Sequence, residues 1–282
     1  MKKNVCLVLL VLLPPLLFGF TKAYAEESAG KRGSPWMVLE PGLALGTFLS
    51  PQKSIVGDSQ IRILRINPEN FEFKLYNASA TKDSRRYSAK NWALDHGLAA
   101  SINASMYQAD HITSVSLMKT KNHVNNPRVS RDRSILAFDL REKPMAKVQI
   151  LDRDCENFEL LRNKYESLVQ SIRMISCKGK NVWKQQTRIW STAAIGMDKQ
   201  KNMLFIHSRS PYSMHDLINI LLKLPIQIER AMYVEGGPEA QMFIQSGDKE
   251  FEFVGSYSTG SNETDNNFIG WPIPNVIGIA RK

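Results

Sequence analysis

The chain has 282 residues, with 37 lysines and arginines against 27 aspartates and glutamates, and a formal net charge of +10 at pH 7. The basic residues are spread along the chain without dense runs or interleaved aromatic residues, which argues against a nucleic-acid-binding module. The positive charge favours encounter with anionic partners such as phosphorylated sugars, polyanionic glycans or acidic lipid headgroups, although solubility alone explains it equally well.

The first 25 residues have the order of a secretory signal peptide. Two lysines follow the first methionine, residues 5–20 are mostly apolar, and an Ala-Tyr-Ala sequence ending at Ala25 offers a peptidase site. The apolar run is shorter than the ~20 residues of a spanning helix, and Pro14-Pro15 would weaken a retained anchor, which is the alternative. We predict a periplasmic or secreted protein with no stable membrane span after processing. Its net charge would be +7, because residues 1–25 hold three lysines and no acidic residue.

Residues 26–45 are predicted to be a flexible leader, because small, charged and turn-forming residues dominate residues 26–35. Order is expected to begin near Trp36. Residues 46–282 contain no linker, repeat or low-complexity tract, and their length suits one domain.

The first regular pattern in this domain is a predicted β-hairpin. Apolar and polar residues alternate over 61–66 and 71–76, on either side of an Asn-Pro-Glu-Asn turn. Ser88 is then predicted to cap a short helix that ends at Gly97, and residues 98–102 read as a buried strand that ends at Asn103.

Eight further strands are predicted at 134–138, 147–151, 192–196, 203–207, 231–234, 241–244, 251–254 and 276–280. Two helices interrupt them. The first is indicated by apolar residues at helical spacing from Phe158 to Val169, and the second begins at the N-cap Ser213 and extends to Leu224. Many strands with a few helices predict an α+β fold, a single domain built on a mixed, largely antiparallel β-sheet with flanking helices.

Two cysteines, Cys155 and Cys177, remain after removal of the segment that contains Cys6. In an oxidising compartment an even pair is most simply a disulfide, and two buried free thiols are the alternative. A metal site at these cysteines is not expected, because no other Cys or His stands at ligand spacing beside them.

Two strand ends carry polar residues suited to chemistry. Asn103 follows a buried strand, and its amide can donate to and accept from a hydroxyl-rich ligand; a turn or capping role is the alternative. Glu235 ends a second apolar strand, and Gly236 and Gly237 after it allow the backbone close to a ligand; a solvated Glu at a strand end is the alternative.

Four segments of the chain resemble the phosphodiester glycosidase family, in the family's order and over about residues 60–280. They are Ile102-Asn103-Ala104-Ser105-Met106-Tyr107, Thr192-Ala193-Ala194-Ile195-Gly196, Tyr233-Val234-Glu235-Gly236-Gly237-Pro238 and Pro274-Asn275-Val276-Ile277-Gly278. The resemblance implies hydrolysis of the bond between a sugar's anomeric carbon and a phosphodiester. A small-molecule or glycan phosphodiester is then the partner, and the sequence predicts no oligomeric state.

The resemblance also implies roles for individual residues. Anomeric cleavage commonly uses two carboxyl groups, and Glu235 and Asp110 are the predicted pair, with Glu239 a weaker candidate for the second. The predicted substrate-binding residues are Asn103, Tyr107, Thr192, Gly236, Gly237 and Arg128. His111 and His123 lie near the same segment but are more typical of structural or surface residues.

Several positions depart from the family's pattern. Glu235 stands where the family more often has Asp, Pro238 replaces a third glycine, and Ser191 and Trp271 stand where many members have arginine. Arg128, Arg131 and Arg188 are near matched segments and are the available substitutes. The alternatives are a non-catalytic saccharide- or phosphoglycan-binding protein, and a metal-dependent phosphodiesterase. No cofactor and no metal ligands are predicted, although a divalent cation is possible.

Overall fold

The strands of this computed structural model, which describes residues 34–142 and 144–282, are numbered in chain order. They are β1 (Trp36–Glu40), β2 (Leu43–Leu49), β3 (Gln60–Ile66), β4 (Phe71–Asn77), β5 (Ala100–Asn103), β6 (Met118–Lys119), β7 (Val124–Asn126), β8 (Ser134–Leu140), β9 (Gln149–Asp152), β10 (Tyr165–Ser171), β11 (Arg173–Ile175), β12 (Trp190–Asp198), β13 (Met203–Tyr212), β14 (Ile228–Gly236), β15 (Gln241–Ser246), β16 (Lys249–Val254) and β17 (Asn275–Arg281). The α-helices are α1 (Ala89–Asp95), α2 (Phe158–Leu161) and α3 (Met214–Lys223), and two 3-10 turns lie at Ala78–Ala80 and Gly237–Glu239.

The strands form three sheets. Their spatial orders are β1-β2-β3-β13-β12-β14-β11, β7-β6-β10-β8-β9 and β16-β15-β5-β17-β4. Every strand pair among the described residues is antiparallel. The architecture is therefore mostly antiparallel β, as predicted, but the expected single mixed sheet is wrong and the α+β class fits only loosely, because the helices are few and short.

The central core packs side chains from the inner faces of all three sheets. Strand β12 contributes side chains to two cores, because successive side chains of a strand point to opposite faces of its sheet. Ala193 and Ile195 lie in the central core. Ala194, between them, lies in a second core with Leu217 and Leu221 of α3. The seven-stranded sheet is thus buried on both faces at β12, which explains the near-continuous burial of this strand.

Two of the predicted helices are confirmed. Ser88 caps α1, its Oγ accepting from the Asn91 N–H at 3.2 Å. Ser213 caps α3 in the same way, with the Asp216 N–H at 3.1 Å. The predicted end of the first helix also holds, since Gly97 has a φ of +62°, a conformation that glycine adopts with little strain.

The predicted hairpin over 61–76 is wrong in its pairing, although both of its strands are present. Strand β3 pairs with β2 and β13, whereas β4 pairs with β17 in another sheet. The turn between them forms a corner, with Asn70 N–H donating to the Asn67 carbonyl at 3.0 Å. Alternation of apolar residues is the same for two strands in one sheet and for two that face each other across a core, so the pattern could not separate them.

The predicted helix from Phe158 to Val169 is also wrong. Helix α2 is one turn long, and the chain then forms β10, which lies between β6 and β8 in the five-stranded sheet. Leu168 packs in an outer core and Val169 in the central one. A strand buried on both faces carries adjacent apolar residues, and short runs of this kind also match helical spacing.

The amino-terminal boundaries differ partly from the prediction. The predicted signal peptide, residues 1–25, lies outside the described residues, as does the start of the predicted leader. Within 26–45, strand β1 begins at Trp36 and β2 at Leu43, so the part of the leader after residue 35 is regular sheet. Across the parts of the chain that the structure describes, no helix has the length and apolar character to cross a membrane.

Candidate active site

A short turn brings the two polar strand ends together. The chain leaves the seven-stranded sheet at the end of β14, passes through Gly237–Glu239 and enters β15 in the third sheet. There β15 pairs with β5, so that Met242 lies opposite Ile102. Asn103 at the end of β5 therefore stands beside the turn that begins after Glu235.

Asn103 binds the backbone of this turn. Its Nδ2 donates to the Glu239 carbonyl at 2.9 Å, and its Oδ1 accepts from the Gln241 N–H at 2.7 Å. The side chain is buried, with 2% of its surface exposed. Because a buried polar group is costly unless paired, these two bonds fix the position of the turn.

Glu235 is a nearly enclosed carboxyl group. It is 7% exposed, and one of its oxygens accepts from the Gly236 N–H at 3.0 Å. Burial, followed by the negative charge of Glu239, raises the pKa of Glu235 to about 8. The bond from Gly236 opposes this shift but does not cancel it. At neutral pH the Glu235 carboxyl therefore holds its proton.

Tyr107 binds the second carboxyl group, that of Glu239. Its hydroxyl donates to Glu239 Oε1, and it also lies within electrostatic range of Glu235. Burial and the hydrogen bond to Glu239 raise the pKa of Tyr107 far above its ordinary range, so the phenol remains a hydrogen-bond donor. The His111 ring stands against Tyr107, with 5.6 Å between ring centroids.

The strand register places further predicted residues at the same end of the sheet. Thr192 of β12 lies opposite Gly236, and Ala193 opposite Glu235. The register shifts between Ala193 and Ala194, a bulge that re-aims the side chains at the end of β14. Gly236 has no room for a side chain, because a Cβ there would overlap the Trp190 ring and the Tyr233 hydroxyl.

Two predicted residues do not join this cluster. The Asp110 carboxylate accepts from Ile112 N–H at 3.0 Å, from Thr113 N–H at 2.9 Å and from Thr113 Oγ1 at 2.6 Å, so its hydrogen bonds are all local. It is exposed, and no contact in the described residues joins it to Glu235. Arg128 is likewise exposed, and the contact recorded for it is made by its backbone N–H to Asn126 Oδ1. The carboxyl group that neighbours Glu235 is Glu239, the weaker candidate from the sequence.

One group of metal-ligand side chains lies close together within residues 34–142 and 144–282. It consists of Asp152, Cys155 and Cys177. The two cysteines form the predicted disulfide, with 6.5 Å between their Cα atoms. The Asp152 carboxylate binds Arg173 at 2.7 Å and the Cys177 N–H at 2.9 Å. These atoms are already paired with protein groups, so the cluster is structural.

Comparison with known proteins agrees with the motifs. Residues 96–280 match the sequence profile of the family described as phosphodiester glycosidase, which is more than half of the chain. The chain belongs to the phosphodiester glycosidase family. The matched range contains the Asn103 strand, the turn after Glu235 and the closing strand β17 except its last residue. A comparison with curated protein sequences gives no match.

Two solved structures share the fold of this family member. The catalytic domain of zebrafish N-acetylglucosamine-1-phosphodiester alpha-N-acetylglucosaminidase, auto-inhibited by its pro-peptide, is 12% identical; the match covers 88% of this chain and 87% of that one with a TM-score of 0.60. A hypothetical protein from Synechocystis is 11% identical over 88% of this chain and 63% of that one, with a TM-score of 0.59. At these identities the likeness shows the fold alone.

Proposed function

We propose that this chain hydrolyses the anomeric bond of a sugar 1-phosphodiester and releases free sugar and a phosphomonoester. The observation that carries the proposal is the buried Glu235 carboxyl at the end of a sheet, with the Glu239 carboxylate near enough to raise its pKa and Tyr107 hydrogen-bonded to Glu239. Family membership supports the reaction class. Cleavage at an anomeric carbon passes through an oxocarbenium-like state, which two carboxyl groups can serve.

Glu235 is assigned the role of acid. Its raised pKa keeps it protonated at neutral pH, so it can donate a hydrogen bond to the departing phosphodiester oxygen without repelling the phosphate charge. Glu239 is assigned to the anomeric carbon, where its negative charge would stabilise the developing positive charge or activate a water molecule. Tyr107 orients Glu239 by its hydrogen bond.

The remaining predicted residues take revised roles in this proposal. Asn103 acts as a positioning residue for the turn, in place of the predicted sugar ligand, because both of its polar atoms contact backbone. Glu239 takes the part predicted for Asp110. Thr192 and Gly236 form the floor of the site, where the Trp190 ring and the Tyr233 hydroxyl pack closely against Gly236. The reaction as proposed uses carboxyl groups and water and needs no cofactor.

The direct test offers the purified protein an N-acetylglucosamine 1-phosphodiester and follows free sugar and sugar phosphate. We expect free sugar as the product. Glu235→Gln and Glu239→Gln should each lower kcat by at least about a hundredfold, the usual range for a general acid or base. Asp110→Asn is the matched control and should retain most of the activity, because Asp110 bonds only its own loop.

Each other outcome of this assay points to a different function. Sugar phosphate as product, or loss of activity with EDTA, would indicate a metal-dependent phosphodiesterase. Binding of the diester without turnover would indicate a non-catalytic phosphoglycan-binding protein. Loss of activity in Asp110→Asn with activity retained in Glu239→Gln would restore the pair predicted from the sequence.

Export from the cytoplasm belongs to the same proposal. The amino-terminal pattern of lysines, apolar residues and small residues supports it. The disulfide between Cys155 and Cys177 gives independent support, since such bonds persist in oxidising compartments. Mass spectrometry of protein recovered from periplasm and medium tests it, because cleavage after Ala25 would leave Glu26 as the first residue.

A further inference from the structure

An exposed apolar segment lies next to the proposed active site. Phe268 is 76% exposed, Ile269 is 74% exposed and Trp271 is 43% exposed. These three large side chains stand within four consecutive positions of one irregular segment between β16 and β17. Grouped apolar residues on a surface are costly to hydrate and commonly mark a binding site.

Polar contacts hold this segment against the turn that carries Glu239. The Asn267 side chain donates to the carbonyls of Gly255 at 2.7 Å and Pro238 at 3.4 Å. The Trp271 carbonyl accepts from Gln241 Nε2 at 2.7 Å. The segment is therefore held to the turn at Pro238 and to Gln241 just after it, while its apolar side chains are exposed.

A cationic cavity of about 410 Å³ adjoins the apolar side chains. Its lining includes Arg85, Arg86 and Lys90, one glutamate, Glu252, and the apolar Phe268 and Ile269. Lys90 is neutralised by ion pairs to two glutamates of β16. Neither Arg85 nor Arg86 forms an ion pair with a carboxylate in the part of the chain described. Both guanidinium groups are thus available to an anion, and arginine suits phosphate in particular.

Gln241, the residue that follows the turn carrying Glu239, links that turn to the cavity. Its side-chain oxygen accepts from the Ala89 N–H at 2.9 Å, between the cavity-lining Ser88 and Lys90, and its Nε2 donates to the Trp271 carbonyl at 2.7 Å. A phosphodiester whose sugar lies at this turn would extend its phosphate towards the cavity. The group on the far side of the phosphate would then extend between the arginines and the exposed rings.

We infer that this cavity binds the phosphate and an apolar aglycone, so that the substrate is a glycosyl phosphodiester whose second ester carries an alkyl or lipid chain. Arg86 contacts the phosphate, and Phe268 and Ile269 contact the chain. The inference rests on the proposed function, and it adds the substrate class. It also identifies Arg86, in place of Arg128, as the phosphate-binding arginine.

The test compares two soluble substrates, the methyl and the decyl diesters of N-acetylglucosamine 1-phosphate, below the concentration at which the decyl ester forms micelles. The decyl ester should have a kcat/KM at least about tenfold higher, because each methylene removed from water adds about fourfold. Phe268→Ser/Ile269→Ser should abolish this preference and leave the methyl-ester rate within about twofold, since these side chains touch only the tail. Leu160→Ser is the matched control, an apolar side chain that is 70% exposed on helix α2.

Arg86 is tested by a second pair of variants. Arg86→Ala should raise KM about tenfold or more for both esters, and Arg86→Lys should restore part of this loss, as expected for a charge-assisted contact to phosphate. Calorimetric binding of decyl methyl phosphate, which has no sugar to release, measures the same site without turnover. Its affinity should fall in Arg86→Ala and in the double serine variant.

These results separate the inference from the proposed function. Equal rates for the two esters in the wild type would overturn the apolar aglycone while leaving the hydrolase intact. Absence of hydrolysis, with chain-length-dependent binding of the phosphate probe, would overturn the hydrolase and keep the cavity as an amphiphile site. Binding to vesicles of anionic phospholipid without any chain-length preference for soluble probes would overturn the inference in favour of a membrane-docking surface.

Discussion

Asn103 shows how one side chain holds a site in shape. It satisfies the Gln241 N–H and the Glu239 carbonyl in a place where water has little access. Asn103→Ala leaves the Gln241 N–H without its acceptor and the Glu239 carbonyl with only the long bond from Gln241 Nε2 at 3.4 Å, so we expect it to lower the free energy of unfolding by about 2–3 kcal/mol. Urea denaturation measures this loss, and the exposed Asn122→Ala is the control. Equal midpoints for the two variants would contradict the positioning role.

Glu235 makes the stability of the fold depend on pH. Its pKa rises from an ordinary 4.5 to about 8 in the folded protein. Below pH 4.5 both folded and unfolded states hold the proton; as the pH rises towards 8 the unfolded state releases it first, and the folded state loses stability. We expect Glu235→Gln to be more stable than the wild type by a few kcal/mol near pH 8, since one pKa unit corresponds to about 1.4 kcal/mol.

Urea denaturation at a series of pH values tests the direction of this pH dependence. The difference between Glu235→Gln and the wild type should grow from pH 4 to pH 8 and vanish at the acid end. The exposed Glu142→Gln serves as the control. A difference that does not change with pH would show that Glu235 is ionised in the folded protein.

Two edge strands are joined by the disulfide. Cys155 follows β9 of the five-stranded sheet and Cys177 follows β11 of the seven-stranded sheet, 22 positions apart. Closing a loop of this length stabilises the folded state by about 3 kcal/mol in the chain-entropy model. We expect the double variant Cys155→Ser/Cys177→Ser to lose about this much in urea denaturation, and a reducing agent to have the same effect on the wild type. An unchanged midpoint would show that the bond does not form.

Among the secondary-structure elements, the sequence predicted correctly those features that depend on neighbouring residues, such as helix caps and strand ends. The caps at Ser88 and Ser213 and the strands that end near Asn103 and Glu235 have local causes, and they are confirmed. The apolar residues of strand β10 contribute to two cores, and for this reason their spacing also matches a helix, which is the wrong prediction here. The predicted pairing of β3 with β4 is wrong because the partner of a strand is decided by segments distant in the chain, here β13 for β3 and β17 for β4.

Across the whole molecule, the position of the candidate site depends on the three sheets packing around one core. The turn Gly237–Glu239 crosses from one sheet to another and so brings β5 beside the end of β14. Motifs indicated that Asn103 and Glu235 belong together. The sequence predicted Asp110 as the second carboxyl group, whereas Tyr107 contacts Glu239 and Asp110 binds its own loop. Both residues are acidic in the sequence, and only the fold shows which of them lies near Glu235. Arg86 lies outside every sequence motif, and only the folded structure places it in the lining of the cavity.

The reaction is tested most directly by hydrolysis of the diester in water enriched in oxygen-18. The carboxyl pair acts at the anomeric carbon in our account, so water attacks carbon and the label should enter the sugar, leaving the released phosphomonoester unlabelled. Phosphate oxygens do not exchange with water under these conditions, so mass spectrometry of that product gives a clear answer. A phosphomonoester carrying one oxygen-18 would show attack at phosphorus and would contradict the account.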